Sequence, residues 1–204
     1  LALGDIDQDD DLDIIVANGR HWPQQNYCFL NAGKGKFSVM LPLGIARSTS
    51  YAAELGDLDG DGDLDIAVAN DNAPNLLFFN DGLGGFVKAG SFGHPNKPSR
   101  NLSIGDIDGD GDLDILITNR RAANEICLND GKGEFGETIL FGSRDDSTID
   151  VELSDIDGDG DADLILANRD HQQNYIYLNN ELEFSERIPF GSGQDETRSV
   201  GVAD

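Results

Sequence analysis

A nine-residue acidic loop occurs four times in register, starting at Asp5, Asp57, Asp106 and Asp155, so any fold for this chain must be built on that repeat. The starts lie 52, 49 and 49 residues apart. A fifth start falls on Asp204, where SVGVAD matches the LSIGD before Asp106 and the AELGD before Asp57. The repeats divide the chain into units at 1–50, 51–99, 100–148 and 149–197, with 198–204 expected to be the first strand of a further unit. The chain starts and stops at nearly the same phase, as expected for neighbouring units of one longer array.

In the second repeat SYAAELGD alternates into the loop, and LDIAVAN, NLLFFN and FVKAGSF follow it. Each run carries β-branched or aromatic residues and is bounded by Gly, Asn, Asp or Pro, which predicts a strand. Four strands in roughly 50 residues make one blade of a β-propeller. The fold class expected is therefore all-β, with four four-stranded antiparallel blades forming a single propeller segment over 1–204. A β-solenoid, the competing tandem-strand architecture, has much shorter repeats. Between the third and fourth strands the first three copies read NAGKGKF, NDGLGGF and NDGKGEF, where Asn/Asp-Gly suits a tight hairpin. The fourth copy, NNELEF over 179–184, is one residue shorter and lacks glycine, so its turn must be built differently.

The net charge of −25 excludes a general attraction to nucleic acid or an anionic membrane surface. Of 39 acidic residues, 21 fall within residues 5–13, 57–65, 106–114 and 155–163, leaving 18 against 14 basic residues elsewhere. The acidity is thus a local device. No apolar run approaches the roughly 20 residues needed to cross a bilayer, so no membrane insertion is expected. Cys28 and Cys127, aligned on Asn31 and Asn129, are one position out of step, which predicts opposite faces and two buried free thiols.

The second loop reads DLDGDGDLD. Carboxylates at positions 1, 3 and 5 (Asp57, Asp59, Asp61) alternate with other residues, so a curling backbone can turn all three toward one point. Asp63 at position 7 can then offer its carbonyl, and Asp65 at position 9 closes the shell. All-oxygen coordination of this kind suits Ca²⁺, with about six to eight ligands at roughly 2.3–2.6 Å. Zn²⁺ is disfavoured, because no His or Cys lies in any loop. Two unit charges 4 Å apart repel by about 4 kcal/mol at an effective dielectric near 20, so the loops call for one cation each, about four in all. An EF-hand would need Glu at position 12 and flanking helices, whereas position 12 is Val68 and the flanks alternate as strands.

DIDGDGDLDILITN followed by LNDGKGEF resembles the FG-GAP/VCBS repeat family, whose repeats form the blades of integrin α-subunit propellers and of many secreted bacterial proteins. The resemblance covers essentially the whole chain. It implies a seven-bladed ring, an extracellular, secreted or cell-surface setting, and side-chain ligands Asp57, Asp59, Asp61 and Asp65; Asp106, Asp108, Asp110 and Asp114; Asp155, Asp157, Asp159 and Asp163. Asp63, Asp112 and Asp161 would add carbonyls. The first copy, DIDQDDDLD, keeps Asp5, Asp7, Asp9 and Asp13, with Asp11 at position 7, but replaces both glycines with Gln8 and Asp10. Position 6 favours a left-handed backbone that Asp tolerates less well than Gly, so weaker binding is expected there.

If the acidic loops join first and second strands, they share one end of the blades. The other end is built from residues 18–26, 70–75, 119–124 and 168–174, and from connections starting at Leu43-Gly44, Phe92-Gly93, Phe141-Gly142 and Phe190-Gly191. Eight of the nine arginines are expected in these segments, together with His21, His94, His171 and the single Trp22. Candidate ligand-binding residues are Arg20, His21, Trp22, Arg100, Arg120, Arg169, His171 and Arg198, since Arg forks suit carboxylate or sulfate and Trp offers a stacking surface. Asn18, Asn70, Asn119 and Asn168 read as strand-end turn residues. The function expected is a calcium-rigidified binding or adhesion module for a glycan or a protein, as in integrin-type propellers and some fungal lectins that the chain resembles. A lyase acting on uronate polysaccharide and a structural spacer are the alternatives. No nucleophile motif, catalytic carboxylate pair or cofactor fingerprint supports the enzyme.

Overall fold

The computed structural model describes residues 1–45 and 47–203. These form sixteen strands in four antiparallel sheets, each an up-and-down meander of four. Blade 1 is β1 (Ala2–Gly4), β2 (Asp13–Val16), β3 (Tyr27–Asn31) and β4 (Phe37–Pro42). Blade 2 is β5 (Ser50–Gly56), β6 (Asp65–Asn70), β7 (Asn75–Asn80) and β8 (Phe86–Phe92). Blade 3 follows with β9 (Ser99–Gly105), β10 (Asp114–Asn119), β11 (Asn124–Leu128) and β12 (Glu137–Phe141). Blade 4 has β13 (Thr148–Ser154), β14 (Asp163–Asn168), β15 (Gln172–Tyr177) and β16 (Arg187–Asp195). The strands of blade 2 coincide with the four runs read from its sequence.

Successive blades stack through their faces. One buried apolar cluster joins blades 1 and 2 around Ile15, Cys28, Ile66 and Phe78; a second joins blades 2 and 3 around Ala67, Leu77, Ile115 and Cys127; a third joins blades 3 and 4 around Leu116, Ile126, Val151 and Leu164. Among the described residues no such cluster joins blade 4 to blade 1. Strands β6, β10 and β14 are buried at every residue, whereas β2 leaves Ile14 and Val16 half-buried. The two cysteines are free and buried in different clusters, on opposite faces of their blades as the register predicts. The first strands contact one another from blade to blade, so they form the inner edge of the stack. Close approach there explains Gly56, where a Cβ would meet Ile104 at 3.1 Å and Leu113 at 3.2 Å.

Two boundaries differ from expectation. β16 runs through Phe190-Gly191 to Asp195, because the Ser192 amide and hydroxyl both donate to Asp195 and the pairing resumes at Gln172 opposite Asp195 after a register shift. The first strand expected at 198–204 is not formed over 198–203, and the loop start at Asp204 lies outside the described residues. A first strand takes its ladder from the second strand of its own blade, and no such partner is among the described residues. Instead Val200 N–H donates to Asp150 Oδ2 at 2.9 Å, and residues 200–203 line one open cavity together with Ile156, Ile165, Ile176 and Phe190. The glycine-free turn of blade 4 is a two-residue hairpin, with Glu181 (φ 53°) and Leu182 (φ 67°) in left-handed conformation between the paired Asn180 and Glu183.

Candidate metal centres and a basic mouth at the opposite end

The acidic loops connect β1 to β2, β5 to β6, β9 to β10 and β13 to β14, and so share one end of the stack. Position 1 organises each loop. Asp57 accepts hydrogen bonds from the amides of Gly60, Asp61 and Gly62 at 2.9–3.1 Å, which curls the backbone around its carboxylate. Asp5 accepts in the same way from Asp9 and Asp10, so the first loop keeps its shape without glycine. It does so with Gln8 (φ 59°) and Asp10 (φ 70°) left-handed, where the second loop has Gly60 (φ 77°) and Gly62 (φ 95°).

The curl brings three carboxylates together in every blade: Asp5, Asp7 and Asp13; Asp57, Asp59 and Asp61; Asp106, Asp108 and Asp114; Asp155, Asp157 and Asp163, with one oxygen of each within 4.8 Å of the others. Asp9, Asp65, Asp110 and Asp159 belong to the same loops but fall outside these trios. Position 7 turns its side chain away from them. Asp63 lies beside Gly82, where a Cβ would meet its Oδ2 at 2.6 Å, and Asp112 lies beside Gly131 in the same manner. Gln8 Nε2 also donates to Asp63, a contact from blade 1 to blade 2 that a glycine could not make.

Position 9 has a second role that the spacing alone did not reveal. Asp114 is buried and accepts from the amides of Ile107 (3.1 Å) and Asn129 (2.8 Å), one on each oxygen. Asp13, Asp65 and Asp163 repeat the pattern with Asn31, Asn80 and Asn179. The Asn side chain then bridges blades: Asn129 Nδ2 donates to the Leu58 carbonyl of blade 2 at 2.9 Å and to its own blade's Leu113 carbonyl at 3.0 Å. Asn80 and Asn179 reach Ile6 and Ile107 of the preceding blades. The signal was present, since these asparagines end the third-strand run of every repeat, but strand-end Asn ordinarily serves only its own turn.

Whether the loops suit a cation is decided by position 3. Asp7 Oδ1 and Asp59 Oδ1 are buried and have no hydrogen-bond donor. Asp7, Asp59, Asp108 and Asp157 are all held above the usual carboxylate range, first by desolvation and further by neighbouring carboxylates. Burial likewise pushes Asp65 and Asp114 up to about 6. Buried carboxylate oxygens without donors are matched by a hard divalent ion.

The opposite end is basic. A cavity of about 500 Å³ opens there, lined by Tyr51, Arg100, Ile149 and Arg198 from one position of successive repeats and by Arg20, His21, Arg120 and Arg169 from the β2–β3, β10–β11 and β14–β15 loops. Tyr51, Arg100 and Ile149 are each the unpaired residue of a β-bulge at the start of the first strand, so the pairing skips them and their side chains are freed from the ladder. Arg100 therefore lies within a strand, not in the blade-to-blade connection where the sequence placed it. Trp22, 75% exposed, and His171 stand outside the lining, although His171 occupies the same repeat position as His21; His171 faces Glu196 at 3.5 Å. Sequence reasoning missed Tyr51 and Ile149, whose signal is their 49-residue spacing from Arg100 and Arg198.

Carboxylates stand behind several of these arginines. Arg100 pairs with Asp71 at 2.8 Å and lies over the Tyr51 ring at 4.3 Å from its centroid. Arg120 forks onto Asp170 at 2.8 and 3.1 Å, and Arg169 meets Glu196 at 3.2 Å. Hydrogen bonds from Arg120, and then from Ser147, hold Asp170 down to about 2. Arg20 and Arg198 form no ion pair among the described residues. Asn18, Asn70, Asn119 and Asn168 are turn residues here, as read: Asn70 Nδ2 donates to the Pro74 carbonyl at 2.7 Å. A set one turn further on stitches blades, with Asn26 Nδ2 donating to Ser50 at 2.9 Å and Asn124 Nδ2 to Thr148 at 3.1 Å.

A family model described as FG-GAP-like repeat matches residues 5–68, 57–117, 106–166 and 155–204. No curated protein sequence matches the chain significantly.

Proposed function

Because the chain belongs to the FG-GAP-like repeat family, we propose that it is a calcium-stabilised β-propeller module that binds a glycan or protein outside the cell through the end opposite its acidic loops. The observation that carries the metal assignment is the pair of buried, donorless oxygens on Asp7 and Asp59, each within a trio of converging carboxylates. In each blade the ion would be held by side chains at positions 1, 3, 5 and 9 and by the carbonyl at position 7. Bound calcium supplies positive charge that carboxylates, with no basic residue in any loop, otherwise lack. The chain's own residues do the rest: position 1 curls the loop, position 9 ties it to the third strand, and Asn80, Asn129 and Asn179 transmit its geometry to the preceding blade. The first site is the weakest, because Gln8 and Asp10 hold left-handed conformations. Seven such blades would close a ring, with blades 1 and 4 meeting further neighbours of the same longer chain.

The supporting feature for a binding role is the bulge-lined basic mouth. Folding alone does not require five arginines at one cavity of a chain whose net charge is −25. Calcium titration by calorimetry on the metal-free chain tests the reading: about four sites are expected, one weaker. An unchanged melting temperature and ion content on chelation would refute it.

A further inference from the structure

We propose that the arginine-lined cavity at the basic end of the blades is a receptor for the end of an oligosaccharide bearing carboxylate or sulfate groups; this deepens, and rests on, the binding-module reading. The cavity volume of about 500 Å³ falls within the roughly 300–1,000 Å³ of small-molecule sites, which suits the end of a chain and not a broad protein surface.

The lining is chemically one-sided. Arg20, Arg100, Arg120, Arg169 and Arg198 present guanidinium donors, and the carboxylates that could serve as acceptors, Asp71, Asp170 and Glu196, are occupied behind three of them. Those carboxylates orient the forks, while Arg20 and Arg198 retain their charge for an incoming group. Such a surface fits a ligand rich in acceptor oxygens, and planar forks take carboxylate or sulfate two oxygens at a time. An acidic peptide would also bring backbone N–H donors, for which the lining has no free carboxylate.

Depth is limited as well. Further down the same first strands lies Glu54, held above its usual range by burial and then by Glu152 and Asp150. Three residues of strand separate Glu54 from Tyr51, about 10 Å. An anion is thus attracted at the mouth and repelled below it, so only a chain end is accommodated. At the rim, Trp22 directly follows His21 and is 75% exposed, placing an apolar ring where the next sugar could stack.

The mouth is also variable where the scaffold is fixed. The bulge position carries Tyr51, Arg100 and Ile149 in successive blades, with Arg198 next in the series, while the paired residues beside it keep their register. A bulge that frees one side chain per blade without disturbing the ladder is a place where recognition can change at little cost to folding.

The test is calorimetry of the full chain in saturating calcium with oligogalacturonate, a heparin-derived oligosaccharide, an uncharged malto-oligosaccharide and oligoglutamate. At least one acidic saccharide should bind, with affinity falling as salt rises, and the uncharged one should not. Arg20→Ala and Arg198→Ala should each weaken binding about tenfold, the loss expected for one charged hydrogen bond. Lys88→Ala on the exposed outer strand β8 should leave it unchanged, with melting curves confirming that every variant folds. If acidic saccharides bind but both arginine variants bind equally well, the mouth is not the site and the module reading survives. Tighter binding of oligoglutamate than of either acidic saccharide overturns the ligand class. Absence of binding to all probes overturns the proposal, and a broad glycan and protein screen then decides the module reading separately.

Discussion

The two ends of the blade stack use the same strands in opposite ways. At the acidic end every blade repeats one loop, and its position-3 carboxylates are pushed above their usual range first by burial and further by neighbouring carboxylates. At the basic end equivalent positions hold different residues, and a carboxylate such as Asp170 is pulled down to about 2 because Arg120 and Ser147 donate to it. One end thus gathers carboxylates with no basic residue in its loops, and the other pairs its arginines with carboxylates except at Arg20 and Arg198, which form no ion pair among the described residues. Repetition marks what stacking demands of every blade, and variation marks what is free to meet a ligand.

The sharpest way to break this contrast is to add and withdraw the proposed calcium. Binding at 100-fold above Kd stabilises by about 2.7 kcal/mol per site. Several sites together should move the melting temperature by more than about 10 °C for a chain of this size. Differential scanning calorimetry with calcium and with chelator measures it. Equal curves would make the acidic end as self-sufficient as the basic one.

Substitutions at positions 9 and 3 separate structure from metal. Asp114→Ala leaves the buried amides of Ile107 and Asn129 without an acceptor and should cost about 3 kcal/mol even in chelator. Asp59→Asn should cost nothing in chelator, or stabilise slightly by removing a repelling charge, yet abolish one calcium site. Equal losses for both variants in chelator would show that the carboxylates serve only the fold. Asn129→Ala, which removes one bridge to Leu58, should fall between them at about 1–2 kcal/mol.

These cases show what the sequence made legible. The strand runs, the end at which the loops lie and the left-handed demand at position 6 all follow from local pattern and period, because each is decided within one repeat; the convergence read for positions 1, 3 and 5 is seen only at Asp57, Asp59 and Asp61, since the other loops bring in position 9 instead. The Asn80, Asn129 and Asn179 bridges and the bulges at Tyr51, Arg100 and Ile149 depend on where one blade lies against the next or on which residue a ladder skips. A single repeat carries no information about either. His21 and His171 make the same point: equivalent in period, they are separated by what surrounds them.

Acid should act on the two ends with opposite sign. In chelator, Asp65 and Asp114 have folded values of about 6 against about 4 when unfolded, so the folded chain binds protons more tightly and gains stability as pH falls from 7 toward 4. Asp170, at about 2, contributes stability that is present above about 4 and is lost as pH falls toward 2. Urea midpoints across pH 2–7 should therefore pass through a maximum near pH 4, and Asp170→Asn should flatten only the acid limb. A monotonic fall from pH 7 would contradict the assignment of unpaired carboxylates to the loop end.

The smallest effects concern the first loop, where the acidic end departs from its own rule. A left-handed non-glycine residue costs roughly 1–2 kcal/mol, less for Asp, so Asp10→Gly should stabilise the chelated chain by about 0.5 kcal/mol and remove one repelling charge. Gln8→Gly relieves the same backbone strain but gives up the hydrogen bond to Asp63, worth about 1 kcal/mol, and should come out near zero or slightly destabilising. A difference of sign between two neighbouring substitutions that both restore the glycines of the other loops would identify Gln8 as a tie between blades and Asp10 as a tolerated strain. If both stabilise equally, the cross-blade bond contributes nothing, and the first loop is simply a weaker copy of the second.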